Sequence, residues 1–336
     1  MKSDLLLRGG ELQIFLNHLG SAFVVSYPLY GFPLMQFRIE GEGYRFGIEA
    51  TREQMDEAKE SFGEVSYEVP DFDDLFSCLI HAGIVRYSNR DEFERISQAH
   101  KGLKKDVYYA LDTNLFYHGF PSRSGIDPSH FVILDITKAE IESSLNIKYG
   151  TSQIQALKQG ALFQKQMLDE LGNQRTRRAR LATYLALREF QSVRDRALRF
   201  DTGEPLLPDK EKNDLLIVRA LRRFETEKSS LPALLTADKN VATLCEAEGV
   251  EYFLFQVPYT IVNTHCTAPE AVRLLYDLAT VFGFIQCGGP YMHGEFRGKG
   301  PDLEELKIVF QNSHKEADLR KDLEICRKLM SLPIER

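Results

Sequence analysis

The chain of 336 residues holds no uninterrupted apolar run of the roughly 18 residues that a membrane-spanning helix needs. Its opening, MKSDLLLRGGELQIFLNHLG, has charge interspersed and contains no cleavable apolar core. Neither a membrane span nor a secretory signal is expected, and the expected location is cytoplasmic. Cysteine is sparse as well. Cys78, Cys245, Cys266, Cys287 and Cys326 lie far apart without a CxxC pair, which argues against a zinc or redox site and for reduced, structural thiols. Positive charge falls short of negative, with 42 Lys and Arg against 49 Asp and Glu and a formal net charge of -7. That balance disfavours nucleic-acid binding unless a local basic patch reverses it. No internal repeat marks a solenoid, and the glycine-rich GGPYMHGEFRGKG lacks the spacing of a phosphate loop.

What is present suffices for a large core, since 43% of the residues are hydrophobic and 11% aromatic. The predicted class is α/β. Residues 1–104 read as a small α/β module. In it FPLMQFRIEGEGYRFGIEA is a hairpin, TREQMDEAKESFG a helix, EVSYEVP a strand and DFDDLFSCLIHAG a helix. From residue 105 to 257 strands and helices alternate: VYYALD, FVIL, a helix through ITKAEIESSL, a helix KNDLLIVRALRRFETE, then strand, helix and strand across PALLTADKNVATLCEAEGVEYFLF. Such alternation predicts a mainly parallel sheet with helices on both faces, and ligands at the carboxyl ends of its strands. Residues 258–336 read as a C-terminal α/β extension.

The one basic patch interrupts the central region as a helical insertion over about residues 150–205. GNQRTRRARLATYLALREFQSVRDRALRF carries eight arginines against Glu189 and Asp195. Leu187, Phe190, Val193 and Ala197 form a helical stripe that can dock on the body. Arg175, Arg177, Arg178 and Arg180 precede it and are the candidate phosphate contacts, because guanidinium pairs charge with bidentate donors. The alternative for the patch is a solvated face or salt bridges to the acidic remainder.

Four acids fall where strands end or helices begin: Asp112 after VYYAL, Glu140 in the helix after FVIL, Asp214 opening a helix, and Asp238 after ALLT. Singly, Asp112 could begin an Asx-turn, Asp214 could cap its helix and Asp238 could form a turn. Converging at one sheet edge, carboxylates repel one another and favour a divalent cation such as Mg²⁺ or Mn²⁺. Glu142 is an alternative to Glu140, but it lies about 200° around the helix, so both cannot face one site equally. Thr113 and Asn114 can support Asp112, and Thr236 can orient Asp238. His118, in FYHGF, has no identifiable partner and reads as a loop histidine without catalytic duty.

With these motifs in this order, ALDTNLF, ITKAEI, NDLLIVRAL and LLTADKNVATLCEAEGVEYFLF, the region 105–257 resembles PIN-domain nucleases. The resemblance implies a doubly wound fold, Mg²⁺ or Mn²⁺ dependence, RNA as the usual substrate, and a catalytic metal site at Asp112, Glu140, Asp214 and Asp238. It leaves open a non-catalytic RNA-binding scaffold of the same fold, a structure-selective DNA nuclease, and association with further copies of the chain. Asp214 lies 74 positions beyond Glu140, a longer interval than in the compact members of the family.

Overall fold

The computed structural model describes residues 4–261, 264–311 and 313–332. It divides into two compact units. The first joins Met1–Cys78, Ile147–Arg180 and Asn263–Arg336; the second joins Leu79–Asn146 and Leu181–Val262.

In chain order the strands are β1 (Leu5–Arg8), β2 (Ala22–Ser26), β3 (Pro33–Glu40) and β4 (Gly43–Ile48) in the first unit. Then come β5 (Val107–Leu111), β6 (Phe131–Leu134), β7 (Leu198–Phe200), β8 (Leu231–Thr236) and β9 (Glu251–Leu254) in the second. The first unit resumes with β10 (His265–Thr267), β11 (Phe284–Cys287), β12 (Tyr291–His293) and β13 (Glu305–Val309).

In the first unit the strands form one antiparallel sheet in the order β1-β13-β12-β11-β2-β3-β4-β10. Alternation along β2 and β3 turns Phe23, Val25, Met35 and Phe37 inward, and the Phe23 and Phe37 rings stack 5.0 Å apart. The helix Ala268–Phe282 starts at a Thr267/Glu270 capping box and buries an almost continuous apolar face. A side chain at Gly294 would meet the Ala279 carbonyl oxygen at 2.4 Å, so only glycine permits that approach of backbone to helix. The N- and C-terminal modules expected at 1–104 and 258–336 are therefore not separate, since strands from both share one sheet. EVSYEVP is also not a strand. It forms the 3-10 helix Gly63–Glu68, entered through Gly63 at φ +54 and followed by Pro70, which lacks an N–H for a ladder.

In the second unit all five strands are parallel, in the order β7-β6-β5-β8-β9. The four residues of β6 are all buried, and β5 is nearly so, as expected of strands covered on both faces. Alternate residues supply two separate cores. Tyr109, Leu111, Ile133 and Leu235 join Phe116, Phe120 and Phe190 on one face; Ala110, Val132, Leu134 and Leu234 join Ile217, Leu221, Phe224 and Val241 on the other. The chain winds outward through β6 and β7 on one side of β5 and through β8 and β9 on the other. In open parallel sheets the crevice for ligands lies outside the carboxyl ends of the strands that flank such a reversal, here β5 and β8.

The expected helical insertion is divided between the units. Residues 147–180 belong to the first, while from Leu181 onward the chain belongs to the second and supplies β7 at the sheet edge. The stripe Leu187, Phe190, Val193 and Ala197 packs into the second unit's core.

Candidate active site

Asp112 ends β5 at the crevice, with its backbone N–H bonded to the Leu235 carbonyl of neighbouring β8. It starts the short helix Thr113–Tyr117, and each residue of Asp-Thr-Asn has a distinct task. The Asp112 carboxylate is 6% exposed and accepts from Asn114 Nδ2 at 3.1 Å and from Thr236 Oγ1 at 2.9 Å. The Thr113 hydroxyl donates instead to Glu140 Oε2, tying the helix Asp135–Ser144 to the end of β5. Burial raises the Asp112 carboxyl above its ordinary value, and Asp238 adds to the rise, while Thr236, Lys210 and Asn114 oppose it.

Thr236 ends β8 and is wholly buried. Besides donating to Asp112 it accepts the Asp238 N–H at 2.9 Å, so one hydroxyl sets the position of two acids. Asp238 caps the helix Lys239–Glu248, accepting from the Asn240 N–H at 2.9 Å through Oδ1. Its Oδ2 accepts from Lys210 Nζ at 3.3 Å. The turn-forming role weighed for Asp238 is real and leaves one oxygen for other use.

Asp214 is different. The helix Lys210–Lys228 is capped by Asp209, so Asp214 lies inside it and has no capping task. The residue is 6% exposed, and its carboxylate accepts no hydrogen bond from the described residues, although its oxygens are not fully buried. Next to it, Asn213 locks the preceding loop through paired bonds with the Leu207 backbone, both at 2.9 Å. Burial pushes the Asp214 carboxyl up to about 7; the Lys210 ammonium opposes this, and the charges of Asp112, Glu140 and Asp238 add to it. Asp214 thus experiences all three other predicted acids. The second acid facing it is Glu140, half-buried and held by Thr113, whereas Glu142 is exposed and pairs with Lys138 at 3.7 Å.

The arginine candidates need correction. Arg180 is wholly buried in the first unit, donating to the carbonyls of Val281 and Arg175 at 2.9 Å. Arg177 is spent on Asp74 at 2.5 Å and Asp71 at 2.7 Å, and Arg175 on Glu295 at 2.9 Å. Only Arg178 of the four is exposed. A guanidinium engaged by carboxylates and carbonyls is not available to phosphate, so Arg175, Arg177 and Arg180 serve the fold of the first unit. His118 is not partnerless, since its Nδ1 lies 2.6 Å from the Tyr87 hydroxyl, and burial, His81 and Arg123 together push the ring down to about 4.

Sequence reasoning missed Lys210. The signal was legible: it stands one turn before Asp214, on the same helix face. Among the described residues, no three His, Cys, Asp or Glu side chains are gathered into a ready metal-binding group. The donor chemistry nevertheless suits a hard cation, because the groups whose charges act on Asp214 are carboxylates and Asp214 itself accepts no hydrogen bond among the described residues. Comparison with family models, curated proteins and solved structures gave no match for the chain.

Proposed function

We propose that the second unit is a PIN-like, doubly wound nuclease domain that uses Mg²⁺ or Mn²⁺ to hydrolyse phosphodiester bonds, with RNA as its substrate. The observation that carries this reading is Asp214, which accepts no hydrogen bond among the described residues while the charges of Asp112, Glu140 and Asp238 all act on its carboxylate. Carboxylates in such company repel one another unless a cation compensates, and structural acids are normally furnished with donors. The order of the four acids along the chain, and their place beside the reversal in strand order, are the further supports. The choice of RNA rests on the family resemblance of the motifs.

In this reading Asp112 and Asp238 are direct cation ligands, and Glu140, steered by Thr113, binds directly or through water. Asp214 completes the site and orients the attacking water by accepting its hydrogen bond. A bound cation supplies charge stabilisation at a phosphoryl oxygen and lowers the pKa of coordinated water. Asn114 and Thr236 hold the Asp112 carboxylate in one orientation, which spares reorganisation during the reaction.

The test is cleavage of matched single-stranded and duplex RNA and DNA in Mg²⁺, Mn²⁺ or EDTA. RNA cleavage that EDTA abolishes is expected. Asp112→Asn keeps the shape and removes a charge, and should lower turnover at least about a hundredfold, or about 2.7 kcal/mol, with RNA binding retained. Cleavage that persists in EDTA would overturn the mechanism. RNA binding without cleavage in any cation would make the domain a scaffold, and cleavage confined to DNA would change the substrate.

A further inference from the structure

Lys210 is the first residue of the helix Lys210–Lys228, where the unsatisfied N–H groups give the helix end a partial positive charge. A cation there is locally unfavourable, and the adjacent Asp209 cap gives it no pairing with that end: the Asp209 carboxylate accepts from the N–H groups of Glu211 and Lys212. What holds the Lys210 ammonium is the acidic crevice. It donates to Asp238 Oδ2 at 3.3 Å, the ion pair that ties it to the acidic group. The side chain is 66% exposed, so it can withdraw along its flexible stem without repacking a core.

We propose that Lys210 is an internal counter-ion which a divalent cation must displace from Asp238. This rests on the cation-site reading above and extends it to the metal-free state. An ammonium carries one charge and three donors, enough to balance part of the acidic group while no metal is bound. It cannot bridge several carboxylates as a divalent ion can. Displacement therefore sets the cation concentration at which the site fills, and it frees a lysine beside the site where a phosphate would lie. Lys212 gives an internal comparison: it pairs with Asp209 at 3.4 Å, and its side chain is equally exposed at 68%.

The experiment measures Mn²⁺ affinity by calorimetry, and thermal stability with and without Mn²⁺, for the parent chain, Lys210→Met and Lys212→Met. Relief from competition by one exposed ion pair should tighten Mn²⁺ binding about fivefold in Lys210→Met. Lys212→Met should bind as the parent does. Metal-free Lys210→Met should melt below the parent, because the acids have lost their counter-ion, and Mn²⁺ should restore it. Equal affinities in all three proteins, each of which binds Mn²⁺, would overturn the counter-ion role and leave the metal site standing. Failure of all three to bind Mn²⁺ would remove the cation site itself, and this proposal with it.

Discussion

A single hydroxyl carries much of the geometry at the crevice. Thr236 Oγ1 donates to Asp112 and accepts from the Asp238 backbone, and it is wholly buried. Thr236→Val preserves the shape but leaves the Asp238 N–H without its acceptor and removes one donor from a buried carboxylate. The expected cost is about 1–3 kcal/mol in urea denaturation, with a fall in turnover. Thr236→Ser, which keeps the hydroxyl, should recover most of both losses; a Thr236→Val protein as stable and active as the parent would show that the hydrogen bonds did not matter. At this scale the sequence was readable where a residue's task is local. Asn114 reaches Asp112 two positions back, and the helical period separates Glu140 from Glu142. Asp214 misled in one respect, since an acid before an apolar run reads equally well as a cap, and the cap is Asp209 five residues earlier.

Among the elements, the arginine-rich segment shows what local pattern cannot reveal. Helical periodicity located the stripe Leu187, Phe190 and Val193 correctly, because burial of an apolar stripe depends on spacing alone. Whether an arginine faces solvent depends on acids elsewhere in the chain. Asp71 and Asp74, the partners of Arg177, precede it by about a hundred positions, and nothing in their neighbourhood announces the pairing. Strand pairing is hidden for the same reason: nothing in LLLR tells that Leu5 lies against Ile308, some three hundred positions away. β7 escaped notice because its three residues include an arginine and too few apolar positions to show a period. The arginines can be tested against one another. Asp74 is 3% exposed, so Arg177→Ala leaves a buried carboxylate unpaired and should cost about 3–5 kcal/mol. Arg178→Ala, on the exposed side, should stay within about 0.5 kcal/mol. Chemical denaturation of the two variants distinguishes them, and a stable Arg177→Ala protein would return that arginine to the list of surface contacts.

Over the whole molecule, acidity acts on two side chains in opposite senses. His293 is 3% exposed with its Nδ1 unpartnered, and burial, helped by Lys307 and opposed by Glu170, pushes it down to about 4 from the ordinary 6.5. Above pH 6.5 the ring is neutral in both folded and unfolded chains and carries no penalty. Between about 6.5 and 4 only the unfolded chain takes up the proton, so stability is lost as pH falls, by up to about 3 kcal/mol. Asp214 acts in the opposite sense. Its folded carboxyl titrates near 7 against 3.8 unfolded, so between those values the folded chain binds the extra proton and stability rises as pH falls. The metal-free protein should therefore show a shallower acid limb than His293 alone would give, and the difference between two proteins isolates the histidine. His293→Leu removes the ring that resists protonation and should gain on the parent progressively from pH 6.5 to 4 in urea denaturation, with little relative change between pH 7 and 8. Parallel curves for the two proteins across that window would mean that His293 is protonated in the folded chain, and the acid limb would then belong to other groups.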